Sequence, residues 1–201
     1  MQPEFSNSIL LIRGSDCVIF DAWGRASDWA EIIAKRGLNL CAIYSTHGHY
    51  DHISAAPELA QKFNIDWYLN HRDLFLIPWA NAALDHFGLP SISDDYKRPI
   101  DLPAGDLDVL QGHVATIIES PGHSSGGVIF HFKDEKVLII GDTLFQDTVG
   151  RYDLPGADVN ELLGSISKIY NMNLSDDTVV IHGHGPNTTI GWLKQNNRHF
   201  K

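Results

Sequence analysis

The chain has 201 residues, 43% of them hydrophobic and 20% charged. That suits one globular domain with a sizeable buried core and excludes a disordered, collagen-like or coiled-coil chain. The formal net charge of −10 argues against a nucleic-acid backbone as the main partner, and no apolar run reaches the roughly 18–20 residues of a membrane helix.

In chain order, β-branched apolar runs predict strands at 8–12, 17–20, 40–44, 67–69, 114–118, 127–131, 137–140 and 178–181. Helical patterns fall at 27–36, with Gly37 as C-cap, and at 54–63, 72–87, 158–170 and 188–196. The third of these is expected to be interrupted at Pro78. The order is a hairpin, then αβαβ, a run of strands and a closing αβα, which fits two packed sheets with helices outside. Two cysteines, Cys17 and Cys41, make no disulfide framework. The opening MQPEFSNSILLIRG shows no basic segment followed by an apolar one, so no secretory signal is read and a reduced, cytoplasmic setting is expected.

Eleven histidines stand against fifteen Lys plus Arg, and their placement carries the chemistry. THGHYDH, residues 46–52, follows the strand at 40–44 and precedes a helix. Imidazole and carboxylate are ligands for zinc and similar divalent ions. In an extended turn His47 and His49 point the same way. Asp51 and His52 then face a second point nearby, and Gly48 lets the backbone approach closely. Four such side chains beside a buried strand, with no ion to satisfy them, would leave costly polar groups near the core. Three further candidates follow other strands: His123 in SPGHSSGG, Asp142 in GDTLF, and His182 with His184 in HGHGP. Each alone reads equally as a turn histidine or a capping aspartate. Together they place candidate ligands at the carboxyl ends of apolar strands, where α/β sites gather.

These four motifs, in this order, resemble the metallo-β-lactamase superfamily along nearly the whole chain. GRYDLPG, residues 150–156, is similar to its glyoxalase II-like and persulfide dioxygenase-like branch. The resemblance implies an α/β fold of the αββα type, two mixed sheets packed face to face with helices outside and the site along one edge between them. It implies His47, His49 and His123 as ligands of one ion, Asp51, His52 and His184 as ligands of a second, and Asp142 as a bridge; His182 lies outside that set. The implied cofactors are two divalent metal ions, zinc foremost, with iron or manganese as alternatives.

The implied activity is a metal-dependent hydrolase in which hydroxide on the metal cleaves a small thioester, glutathione-derived thioesters among them. Asp51 would orient the nucleophile or carry a proton. Arg151 and Tyr152 are implied substrate contacts, with a surface ion pair as the competing reading of Arg151. The alternative activity is a persulfide dioxygenase-like oxidation at one iron held by His47, His123 and Asp142. A nuclease suits neither the charge nor the short length.

Two departures from the family pattern are visible. Asp21-Ala22-Trp23-Gly24 stands where an Asp-Pro-Gly turn is common, so Trp23 is expected either near the site or packed. The chain stops soon after His184, so no counterpart of the helical domain with which glyoxalase II grips glutathione is expected, and a single domain over 1–201 is expected. Trp67, Trp79 and Phe87 are read first as core aromatics and second as a cleft wall.

Overall fold

A computed structural model describes residues 6–201. Residues 1–5, part of the segment read for a secretory signal, lie outside the described residues. Strand β1 (Ile9–Arg13) pairs antiparallel with β2 (Asp16–Phe20), which runs parallel to β3 (Asn39–Tyr44), itself parallel to β4 (Asp66–Tyr68). The crossovers carry α1 (Ala26–Arg36), the single turn α2 (Tyr50–Ile53) and α3 (Ala56–Phe63).

After β4 come a 3-10 helix, His71–Leu76, and α4 (Ile77–His86). A second sheet follows, built from β5 (Gly105–Leu110), β6 (His113–Glu119), β7 (Val128–Phe132), β8 (Val137–Gly141), β9 (Val179–His182) and β10 (Thr188–Thr189), hydrogen-bonded in the order β10-β9-β8-β7-β6-β5. Only β8 and β9 are parallel in it, joined through α5 (Val159–Asn171); α6 (Ile190–Asn196) follows β10.

The layering follows from side-chain alternation along the strands. In β2, Val18 and Phe20 face the second sheet and pack with Ala42, Tyr44, Ile117 and Phe130. Cys17 and Ile19, on the other face, join Ile43, Leu59 and Leu84 under α3 and α4. The second sheet does the same: Ile129, Leu138 and Val180 turn outward onto Leu162 and Ile166 of α5 and Leu193 of α6. The result is an αββα sandwich, as the motifs imply. An aromatic knot closes the seam between the sheets: Phe20 meets Phe130 edge-on at 4.9 Å and stacks on Tyr44 at 5.4 Å.

The eight predicted strands are all present, within about a residue or two at each end. Strand β5 is not predicted, because GDLDVL carries two aspartates on its outward face and only Val109 and Leu110 are buried; nor is β10, whose two residues pair with β9 where the helix over 188–196 is expected to begin. The helix expected over 54–63 is α3, starting two residues later with Pro57 in its first turn, and the single turn α2 just before it is not predicted. Pro78 does not interrupt a helix. It sits in the first turn of α4, where no backbone donor is required, and the preceding residues form the 3-10 segment. Gly37 ends α1 in the left-handed conformation, φ 61°, and its N–H donates to the Ala34 carbonyl. Among the described residues no helix is long and apolar enough to cross a membrane.

Candidate metal centre

Every candidate ligand leaves the carboxyl end of a strand at the rim between the two sheets. The turn after β3 carries His47 and His49 and runs into α2, which holds Asp51 and His52. His123 comes from the β6–β7 loop, Asp142 directly from the end of β8, and His184 from the end of β9. Gly141 and His182 are register partners across the parallel pair, and the Gly183 N–H donates to the Gly141 carbonyl at 2.8 Å. That pairing sets Asp142 and His184 side by side. The amino-terminal segment pins the same rim: the Asn7 side chain donates to the carbonyls of His182 (3.0 Å) and Gly185 (2.7 Å), and the Ser6 hydroxyl donates to the Asp51 carbonyl.

Three overlapping groups bring ligand-type atoms within 4.8 Å of one another: His47, His49 and His123; His47, His52 and Asp142; Asp51, His52 and His184. His49 Nδ1 lies 2.9 Å from His123 Nε2. Asp142 approaches His123 Nε2 at 3.5 Å, His52 Nε2 at 3.5 Å and His184 Nε2 at 3.4 Å. Asp51 Oδ2 is 3.0 Å from His184 Nε2. The seven residues carried over from the motifs are thus brought together at one place.

The far nitrogens of His123 and His47 are tied down. His123 Nδ1 donates to the Arg151 carbonyl at 2.8 Å, which turns its Nε2 lone pair toward the centre and His49 Nδ1. The Thr46 hydroxyl donates to Asp21 Oδ2 at 2.8 Å and so receives the proton of His47 Nδ1 at 3.0 Å. Asp21 Oδ2 also lies 2.9 Å from His52 Nδ1. One buried carboxylate therefore orients two ligand-type rings with their Nε2 atoms toward the centre. The buried atoms His47 Nε2, His52 Nε2 and Asp142 Oδ1 have no hydrogen-bond partner. Buried polar atoms without partners cost stability, and a cation among them is what removes that cost. This donor set of imidazoles and carboxylates fits divalent metal ions.

The electrostatics divide the centre in two. Without an ion, burial and the neighbouring rings of His52, His49 and His123 hold His47 well below the ordinary imidazole range. Burial and His123 bring His49 down to about 3. Burial also opposes the cation at His52, but Asp21, Asp51 and Asp142 outweigh it and raise the group to about 9. His184 rises to about 11, burial again being outweighed by Asp142 and Asp51. Asp142 and Asp51 are both lowered, His52 and His184 overcoming their desolvation.

Glycines shape the rim by letting backbone in. A Cβ on Gly183 would stand 1.9 Å from Asp142 Oδ1, and one on Gly150 would stand 1.8 Å from the Asp142 carbonyl oxygen. A cavity of about 990 Å³ opens over the centre. Part of its wall is Leu76 with Trp79, Ala80 and Ala83 of α4; Phe145–Val149 and Pro186 line it as well.

Arg151 lines that cavity, and its guanidinium forms a two-point ion pair with Asp153 at 2.9 and 3.0 Å. Tyr152 is 53% exposed and is not among the lining residues. Trp67 is a core residue, fully buried, its indole N–H donating to Ser45 Oγ. Trp79 is the cleft-wall aromatic, 62% exposed. Phe87 stacks on Tyr50, and Trp23 meets the same Tyr50 edge-on, so Trp23 packs beside the centre. His182 is buried with both nitrogens engaged, Nδ1 donating to the Leu144 carbonyl and Nε2 accepting from the Thr188 hydroxyl. Sequence reasoning misses two residues of the site, Asp21 and Asp73. Asp21 had a readable signal, an aspartate directly after a wholly apolar strand, as at Asp142.

Comparison with known proteins agrees with this geometry. Residues 1–184 match the family model described as the metallo-beta-lactamase superfamily. The chain is 36% identical over 183 residues to the hydroxyacylglutathione hydrolase GloC of Haemophilus influenzae, covering 90% of this chain and 86% of that one. It superposes on the crystal structure of BLEG-1 B3 metallo-β-lactamase with a TM-score of 0.87 at 32% identity, covering 100% and 97% of the two chains. It superposes on TTHA1623 in a di-iron-bound form with a TM-score of 0.85 at 32% identity, covering 98% and 96%.

Proposed function

Because the chain belongs to the metallo-β-lactamase superfamily, and so to the metal-dependent hydrolases, we propose that it hydrolyses small thioesters at a centre of two divalent metal ions, zinc foremost. His47, His49 and His123 would hold one ion, Asp51, His52 and His184 the other, and Asp142 would reach both. When bound, such ions polarise a carbonyl oxygen and lower the pKa of water to about 7.

The chain's own residues set the rest. Asp51 stands at the cavity floor beside His184, where its carboxylate can orient a water and accept its proton. The apolar face of α4 seats the uncharged part of the substrate and excludes water around it. Arg151 lines the cavity already paired with Asp153, so it would meet a substrate carboxylate only by exchanging that partner.

The observation that carries the thioester reading is the composition of the cavity wall. Apart from the candidate ligands, its ionisable side chains among the described residues are Tyr50, Asp147 and Arg151, with no further histidine to act as an acid at neutral pH. An amide or alkoxide leaving group requires a proton from a positioned acid. A thiolate, with a thiol pKa near 8.5, departs without one. The likeness to GloC supports the same class, with glutathione thioesters as its first candidates.

The test is elemental analysis of protein purified without added metal, followed by thiol release from a panel of acyl thioesters that includes S-lactoylglutathione. Two ions per chain and chelator-sensitive release are expected. No release from any thioester at full loading would sink the proposal. One iron per chain with oxygen uptake on a persulfide would replace it with the oxidative alternative.

A further inference from the structure

Asp73 belongs to none of the motifs and to none of the groups of ligand-type atoms, yet it is closed to solvent at the heart of the rim. It sits in the 3-10 segment between β4 and α4, its own N–H donating to the Asn70 carbonyl. Its carboxylate receives three hydrogen bonds. The Gly48 N–H donates to Oδ2 at 2.9 Å, the Ser124 hydroxyl to Oδ2 at 2.7 Å, and the Gly126 N–H to Oδ1 at 2.5 Å. Gly48 lies between His47 and His49, while Ser124 and Gly126 follow His123 by one and three residues.

One buried carboxylate thus holds both turns from which the first ion's three proposed ligands project. The glycines are fitted to it. A Cβ on Gly48 would stand 2.9 Å from Asp73 Cβ, and one on Gly126 would stand 2.8 Å from Asp73 Cγ. Neither position adopts a positive φ, so the constraint is close approach alone.

We infer that Asp73 is the positioning residue of the first metal site, fixing the His47–His49 turn against the His123 turn at the spacing one shared ion requires. The inference rests on the ligand set proposed above. The second set, Asp51, His52 and His184, receives nothing from Asp73, so a change there acts on one ion and spares the other.

Asp73→Asn keeps size and shape but sets an amide N–H₂ against one of the three donors. Partners that orient metal ligands typically contribute ten- to hundredfold in affinity. Cobalt(II) would be titrated into metal-free wild type and D73N against a competing chelator, with the visible absorption of the bound ion followed and the thermal stability of both metal-free proteins recorded. The expected result is a loss of about ten- to hundredfold for one ion with a changed cobalt spectrum, and the other ion's affinity within about twofold of wild type.

Equal losses at both ions, tracking a drop in metal-free stability, would overturn the inference, as would two unchanged affinities. If D73N does not fold, Ser124→Ala removes one of the three donors and leaves Asp73 in place. A selective loss of a few-fold at one ion is then expected, and no selective loss overturns the inference. Wild type that binds no ion defeats the metal reading itself, whereas wild type with two ions and an unaffected D73N defeats this inference alone.

Discussion

Asp21 Oδ2 lies 2.9 Å from His52 Nδ1, with both side chains closed to solvent. The same oxygen accepts the Thr46 hydroxyl, which holds His47. Asp21 thereby orients one proposed ligand of each ion. Its backbone has φ 53°, a conformation asparagine tolerates, so Asp21→Asn tests the carboxylate without disturbing the turn. Both affinities are expected to fall about ten- to hundredfold in a chelator competition, in contrast to the one-ion effect of Asp73→Asn.

The two proposed ion sites differ in their demand on protons. His47 and His49 are lowered, His49 to about 3, so they are neutral at pH 7 and release nothing on binding. His52 is raised to about 9 and His184 to about 11, so both carry protons that the second ion displaces. Affinity for that ion is expected to rise steeply with pH between about 6 and 9 while the first stays comparatively flat, with proton release read by calorimetry in buffers of different ionisation enthalpy. In the metal-free protein His52 adds stability that is fully present below about pH 6.5 and lost as pH rises through about 9, visible as a falling Tm.

Two glycine-to-alanine changes should move in opposite directions. At Gly183 the new methyl would stand 1.9 Å from Asp142 Oδ1 and 2.9 Å from a carbon of the His52 ring. Metal content is expected to drop and turnover to fall at least about a hundredfold, the scale of a misplaced catalytic group. Gly164, inside α5, has nothing within 4 Å of such a methyl. Gly164→Ala should stabilise the fold by about 0.5–1 kcal/mol, because alanine restricts the unfolded chain and favours helix, and should leave metal content unchanged.

Trp79 contributes to the cavity wall while remaining mostly exposed. Trp79→Ala should leave Tm nearly unchanged. It should raise KM by about tenfold for thioesters with an apolar acyl group, with little change in kcat, as expected when an apolar contact made equally in ground and transition states is lost.

The candidate ligands are legible in the sequence because strand ends display them in short runs. A buried apolar strand such as LCAIY or VLII followed within two or three residues by His or Asp needs no tertiary knowledge to mark it. The layering is legible for the same reason, through strands apolar on both faces. Asp73 is not. In LNHRD it is indistinguishable from a surface aspartate, because its partners Gly48, Ser124 and Gly126 reach it only through the folded chain. Strand β5 escapes because its pairing with β6, not its composition, makes it a strand.

Each of the three groups of ligand-type atoms takes two residues from the segment after β3 and one from a loop of the second sheet. Neither sheet alone holds a complete nest for an ion. The centre therefore comes into being only when the two layers have docked, and a bound ion acts as a latch across their seam. An ion held only by the docked form strengthens the docking by about 4 kcal/mol when its free concentration is a thousand times its Kd. Metal supply would then govern how long the molecule stays closed, and hence its lifetime against proteases.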